Sequence, residues 1–495
     1  ACLLLQEGVG TAAQIDAIAC KAFRIGLGPF GLMNLTGPPI ALHSTDYLAE
    51  QLNTPRYRGA DNLRALVAEN RMWDIEEDNS YSEDQFTKIS RRLYGVVFGV
   101  AAQIVEEDVC SMEDVDRGAK VGLRWARGPF ELMNKVGIQQ SHAMAQEYLE
   151  LCQQNVQENS WSVPEFFSKQ ANNGSSWNFS YVDTEVSDGV ATITINRPEA
   201  MNALNETVIH QLGLAVDNAN LDDAVHTIIL DGAGKAFVAG ADVKFFVDKI
   251  RSNAIDDIVE FTSNGHKVLN SIENSSKTTI ALTTGLALGG GLELSLCCDY
   301  RIGTRKTQFR FPETSIGIYP GLGGSQRPAR ISGIPLARWS VLGGNFMNAQ
   351  IAYDIGLLTH LVDLSEVDET SKKCSQEGKP INKYPGQPNN FESSVVKFAT
   401  DFYSDKNLPT LLSGGCPDGY DIDEKVISRQ LKNLKYTAPI ALAMASELID
   451  ITSQTSLQEG LDSELNKLTD IFSTRDALEG LSALIEGRRP TYNNS

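Results

Sequence analysis

Residues 284–324 read TGLALGGGLELSLCCDYRIGTRKTQFRFPETSIGIYPGLGG. The stretch sets Glu293 and Glu313 on either side of a hydrophobic hairpin, each beside a glycine cluster, in a region otherwise poor in charge. Carboxylates among apolar side chains lose hydration, and glycines leave backbone amides accessible, so the combination marks a site. Two such carboxylates suit general acid and base work, because burial and mutual repulsion leave one ionised and one protonated near neutral pH.

Upstream, the text alternates between strand and helix patterns. Tyr181–Val186, a Ser187-Asp188-Gly189 turn and VATITIN at Val190–Asn196 read as a hairpin. Strand His226–Leu230, the segment GKAFVAGADVKFF, a helix over Ile255–Ile272 and strand Thr278–Leu282 follow. This order predicts an α/β domain with parallel pairing. Downstream, Gly343–Leu364 reads as another helix and strand, residues 365–392 as a solvated excursion, and the chain from Ser393 as helical to a basic pair at Arg488-Arg489.

Three pieces are placed to converge on one site. AGAD at Ala239–Asp242 and LGGGLEL at Leu288–Leu294 each follow a strand with small residues, and amides there favour developing negative charge. Two amides from different loops can form an oxyanion hole. FPETSIG supplies the second carboxylate. Taken singly, a glutamate after glycines reads as a cap, GGG as close packing and GAD as commonplace. Their order, each at a strand end, favours the site.

The first third of the chain is a repeat. Residues 7–37, EGVGTAAQIDAIACKAFRIGLGPFGLMNLTG, return 100 positions later as EDVCSMEDVDRGAKVGLRWARGPFELMNKVG. Thr11 and Ser111 stand as helix caps, Gly-Pro restarts a helix, and Gly37 and Gly137 sit where one ends. GVGTAA at Gly8–Ala13 matches the loose dinucleotide fingerprint GxGxxA. The second copy has DVCSME there, after helical AAQIV, so the segment reads as a turn between helices. Residues 153–177 are polar and aperiodic and read as a linker between a helical domain, 1–152, and an α/β domain, 178–495.

FVAGAD, GLALGGGLELSLCCD, FPETSIGIYPGLGGSQR and the distal EGLDSE with EGLSALIEGRRP resemble the crotonase (enoyl-CoA hydratase/isomerase) superfamily. The resemblance implies a ββα spiral with C-terminal helices, trimer-based association and an acyl-CoA thioester substrate. It implies that the thioester oxygen sits between the amides of Ala241 and Gly290, with Ala239, Gly240, Asp242 and Gly289 around it. Glu293 and Glu313 match the acid/base pair of hydratases, with the role of each left open, and having both favours hydration of 2-enoyl-CoA. Gly321 falls where the family positions acyl chain and water. Phe245 and Phe246 are candidates for the acyl tunnel wall, with core packing the even alternative. Arg488 and Arg489 are candidates for the CoA phosphates, with solvation the plainer reading.

The repeats resemble the C-terminal helical domain of 3-hydroxyacyl-CoA dehydrogenases, which accompanies a crotonase domain in bifunctional β-oxidation proteins. The chain departs from that pattern in having no glycine fingerprint of a Rossmann domain and no matching catalytic His-Glu pair. It opens ACLLLQEG, without Met, inside an apolar helix, which points to a parent polypeptide extending upstream. Hydration needs no bound cofactor; NAD enters only with a Rossmann domain upstream or in trans. The rival readings are an enoyl-CoA isomerase or another enolate-based reaction, and an acyl-CoA-binding assembly subunit that docks a separate Rossmann domain.

Composition narrows the classes further. A net charge of −20, spread along the chain, disfavours nucleic acid and anionic membranes as partners. No run approaches the roughly 20 apolar residues of a membrane span, and no signal peptide opens the chain, so a soluble, cytoplasmic protein is expected, an organelle matrix being compatible. The eight cysteines show no CxxC pair and the six histidines no metal-binding spacing, so reduced core cysteines and no metal are expected.

Overall fold

The structure, a computed structural model, describes residues 1–53, 57–155 and 162–494. Two compact units follow one another along the chain, Ala1–Ser180 and Tyr181–Ser495.

The first unit is helical, and the repeat is visible in its hydrogen bonds. Thr11 caps helix Ala12–Phe23 and Ser111 caps helix Met112–Arg117. Helices Pro29–Thr36 and Pro129–Val136 begin with proline, which has no amide to satisfy. Asp16 accepts the next two amides, Phe30 and Gly31, at 2.7 Å each, and Asp116 accepts those of Phe130 and Glu131 at 2.8 and 2.9 Å. A β-carbon at Gly28 would lie 2.4 Å from Asp16 Cγ, and one at Gly128 2.2 Å from Asp116 Cγ, so the glycine of each GPF block admits this carboxylate. Further along, the Asn34 side chain pairs with both backbone groups of Trp73, and Asn134 does the same with Trp177.

Trp177 lies in the stretch read as a linker, and that reading is corrected here. Helix Glu165–Asn173 forms inside it, and Phe167, Ala171 and Trp177 are buried in the core of the helical unit with Phe98, Phe130 and Met133. Polar residues dominate the text, but the few apolar ones share a face, which is sufficient for docking. Residues 156–161 of that stretch lie outside the described residues. The Gly8–Gly10 turn joins helices Cys2–Gln6 and Ala12–Phe23, with LLL inside the first of them.

The second unit holds two sheets. Its strands are β1 (Val182–Ser187), β2 (Val190–Ile195), β3 (Thr227–Gly232), β4 (Ala236–Ala239), β5 (Thr278–Thr283), β6 (Leu286–Leu288), β7 (Tyr300–Gly303), β8 (Gln308–Arg310), β9 (Met347–Asn348) and β10 (His360–Leu361). One sheet has the order β1-β2-β3-β5-β7-β10 and the other β4-β6-β8-β9. Each of the pairs β3/β4, β5/β6 and β7/β8 sends one strand to each sheet and is followed by helix, which is the ββα spiral.

The expected hydrophobic hairpin between the two glutamates is therefore corrected. β7 pairs in parallel with β5, and β8 in parallel with β6, because the turn Thr304–Thr307 carries the chain from one sheet to the other. The stretch 365–392 is also more than a solvated excursion. Helix Val367–Glu377 buries Val367 and Cys374, the latter against Ile280, Tyr300 and Ile302. Beyond it Lys383 reaches Glu273 at 2.6 Å and Lys379 reaches Asp299 at 3.2 Å. Among the described residues no helix is long and apolar enough to cross a membrane.

Candidate active site

The site lies where β4 and β6 end side by side. Their parallel register sets Ala239 opposite Leu288, so Gly240–Asp242 and Gly289–Gly290 leave the sheet together. Leu204 donates its amide to Gly240 O at 2.9 Å and accepts the Asp242 amide at 2.8 Å, which fixes the first turn around Ala241. Among the described residues, neither the Ala241 nor the Gly290 amide donates a hydrogen bond. The Asp242 side chain caps helix Val243–Arg251 through the Lys244 amide and stands 3.4 Å from Arg197 Nη2.

Glu293 lies in the first turn of helix Gly290–Leu296, 2% exposed. Its Oε1 accepts the amides of Leu322 and Gly324, both at 2.7 Å, so the PGLGG loop folds back over it. Burial pushes its pKa up to about 7, against the pull of those two amides and of Arg327. Glu313 opens the short helix Glu313–Ile316, which Phe311 and Pro312 separate from β8, and is 6% exposed. Burial and then the charge of Glu293 push its pKa well above the carboxylate range. Among the described residues no donor reaches Glu313 Oε2. The two carboxyls thus differ: one is held by amides, and the other has an oxygen that no described residue satisfies.

Gly321 precedes the gripped loop, and its carbonyl pairs with His266 Nε2 at 2.7 Å. Burial lowers the His266 pKa to about 4, so the neutral ring donates this Nε2–H. Of the two phenylalanines, Phe246 is buried and stacked on Phe472 with centroids 5.3 Å apart, a core position. Phe245 is half-buried, 5.1 Å from the Phe261 ring. Arg488 is paired with Glu479 and Glu486, and Arg489 lies over the Tyr436 ring.

Three groups around the loop were not singled out from the sequence. Glu464 is fully buried and accepts the amides of Gly323 and Ser325 at 2.7 and 3.1 Å. Arg327, also fully buried, donates to Leu322 O at 2.9 Å and to Glu273 at 2.8 Å. His266 is the third. Glu464 and Arg327 stand in the quoted motifs EGLDSE and GLGGSQR, but only the tertiary fold shows which amides they meet.

The architecture is that of a ββα-spiral protein with a buried carboxylate pair at its strand ends. The chain belongs to the enoyl-CoA hydratase/isomerase family, whose model matches residues 190–495. Residues 1–83 and 89–175 match the C-terminal domain of 3-hydroxyacyl-CoA dehydrogenase. A crotonyl-CoA hydratase of Syntrophomonas wolfei is 40% identical over 200 residues, 40% of this chain and 75% of that protein. A short-chain-enoyl-CoA hydratase of Clostridium acetobutylicum is 30% identical over 301 residues, 61% of this chain and 92% of that protein. The solved enoyl-CoA hydratase of Rhodobacter sphaeroides superposes with a TM-score of 0.55 at 22% identity, covering 64% of this chain and 93% of its own, a likeness of fold.

Proposed function

We propose that the unit Tyr181–Ser495 hydrates 2-enoyl-CoA thioesters to 3-hydroxyacyl-CoA. The observation that carries this reading is the asymmetry of the buried pair. Glu293, with two amides and Arg327 favouring its anion, is the more readily ionised and acts as base. Glu313, without a donor on Oε2, holds its proton and acts as acid. The two titrate as a pair, so the assignment describes the dominant microstate.

In the reaction Glu293 takes a proton from water as its oxygen bonds to the β-carbon. Glu313 gives its proton to the α-carbon, and the thioester oxygen carries the transient negative charge. The amides of Ala241 and Gly290 receive that oxygen; one such donor is worth about 3 kcal/mol in a transition state. Ala239, Gly240 and Gly289 shape the turns that aim the amides. Phe245 borders the acyl group, while Phe246 and Asp242 hold the helix that carries it.

The experiment is loss of enoyl-thioester absorbance when the full chain meets crotonyl-CoA, with oxygen from labelled water appearing in the product. Consumption without solvent oxygen would replace hydration by isomerisation. Binding of acyl-CoA with no turnover would leave the assembly-subunit reading.

The helical unit extends the proposal to a bifunctional hydratase/3-hydroxyacyl-CoA dehydrogenase of fatty-acid degradation. The Gly8–Gly10 turn joins two helices and follows no strand. In this reading hydride transfer with NAD falls to a Rossmann domain, upstream or in trans. Trimer-based association through the hydratase unit is tested by light scattering, where a monomer mass rejects it.

A further inference from the structure

Four successive amides, those of Leu322, Gly323, Gly324 and Ser325, go alternately to Glu293 and Glu464. Glu293 takes the first and third with Oε1 alone, which leaves its other oxygen for the side of the reaction. Glu464 takes the second and fourth from helix Leu457–Asn466, together with the Ser325 hydroxyl. The segment is a run of turns in which Gly323 takes φ +100°, and its successive amides leave to opposite sides, so neither carboxylate can shift without turning the loop under the other. The remaining partners close off other positions. His266 holds Gly321 O, Arg327 holds Leu322 O, and the Tyr319 hydroxyl donates to Glu464 O at 2.6 Å.

We propose that Glu464, which lies outside the reacting pair, is a positioning residue for Glu293, locking the loop so that the Leu322 and Gly324 amides stay on the catalytic carboxylate. The inference deepens the hydratase reading and rests on it for its kinetic consequence. Its structural consequence, the proton affinity of Glu293, can be read without turnover.

A rival role for Glu464 is that of a nearby negative charge. The two roles move Glu293 in opposite directions. Loosened amides stabilise the Glu293 anion less, so its pKa rises; removal of a like charge lets it fall. The other ionisable groups facing the pair are Glu313, Arg327 and, behind the loop, His266 with Asp462 and Glu273 beyond it. None of them changes in the variants compared.

The test uses the full chain carrying Glu464→Gln, Glu464→Asp or Ser325→Ala. The Glu293 carboxyl is titrated by isotope-edited infrared spectroscopy, with Glu293→Gln as the blank, alongside the pH profile of kcat on crotonyl-CoA. Positioning predicts that Gln and Asp both raise the Glu293 titration and lower kcat by roughly 10–100-fold, with KM within about twofold, as for a small misplacement of a catalytic group. Ser325→Ala, which keeps both carboxylates, shifts both readouts the same way by less, and carries the test alone if the Glu464 variants fail to fold. A lowered or unmoved titration with Gln, an Asp variant like wild type, or a Ser325→Ala variant with both readouts unmoved overturns the proposal. Should the wild-type chain not hydrate crotonyl-CoA, the hydratase reading fails on that result, and the infrared titration still decides the positioning.

Discussion

A β-carbon added to Gly289 would stand 2.2 Å from Oε1 of Glu313. The φ of Gly289, +45°, adds backbone strain for any other residue. Gly289→Ala is therefore expected to displace the Glu313 carboxyl and lower kcat on crotonyl-CoA about 100-fold, the scale of a 1 Å misplacement. Steady-state kinetics beside a thermal melt check this; an unchanged kcat would show that Glu313 is not placed by this contact.

Removing either carboxylate should be far costlier to rate than to binding. Glu293→Gln and Glu313→Gln are each expected to lower kcat by ~10²–10⁴-fold, the contribution of a positioned acid or base. Isothermal titration with a saturated acyl-CoA should give near-wild-type affinity. Full activity in both variants would refute the assigned roles.

The pH profile follows from the same pair. Glu293, raised to about 7, must be ionised to accept a proton, so kcat should fall about tenfold per pH unit below that value. Glu313 must keep its proton, and the rate should decline again at the higher pH where the pair loses it. A profile flat from pH 5 to 8 would exclude Glu293 as base.

Stability should move the other way. Glu464, raised to about 8, and Asp116, raised to about 7, bind protons in the folded chain that the unfolded chain has released. Their contribution is complete below the ordinary carboxylate range and is lost as pH rises through 7–8. His266, lowered to about 4, has the opposite sign, its contribution rising with pH from 4 to 6.5. Calorimetric melting temperatures are expected to fall between pH 6.5 and 8, and Asp116→Asn should flatten the part due to the helical unit. A melting temperature that climbs across that interval would contradict the assignment.

The paired tryptophan contacts give a test of the helical repeat. Asn134→Ala removes two hydrogen bonds to the Trp177 backbone and leaves partly buried groups unmet, a loss of about 1–3 kcal/mol. Asn34→Ala should behave alike at Trp73. Denaturant unfolding of each variant measures the cost, and a loss at only one of them would mean that the copies are not energetically equivalent.

What could be read beforehand depended on how local its cause was. The burial of Glu293 and Glu313 beside glycines is legible because the glycines that flank them in sequence also flank them in space. The repeat was legible because Asp16 and Asp116 keep the same distance to their GPF blocks. The hairpin was misread because β7 and β8 look like neighbours, while their partners, β5 and β6, lie twenty residues or so back along the chain. The linker was misread because the partner of Trp177, Asn134, stands 43 residues away. Glu464 had no local signal at all, since its amide partners are about 140 residues upstream.

The bare Oε2 of Glu313 gives the site a second character. A buried oxygen that no described residue satisfies costs stability in the folded state, and under the proposed hydration it belongs to the group that donates the proton. An apolar residue of similar volume there should melt higher and catalyse nothing. Across a library at position 313, heat resistance and turnover would rank in reverse order, so selection for robustness alone would erase the chemistry from the position that needs it most.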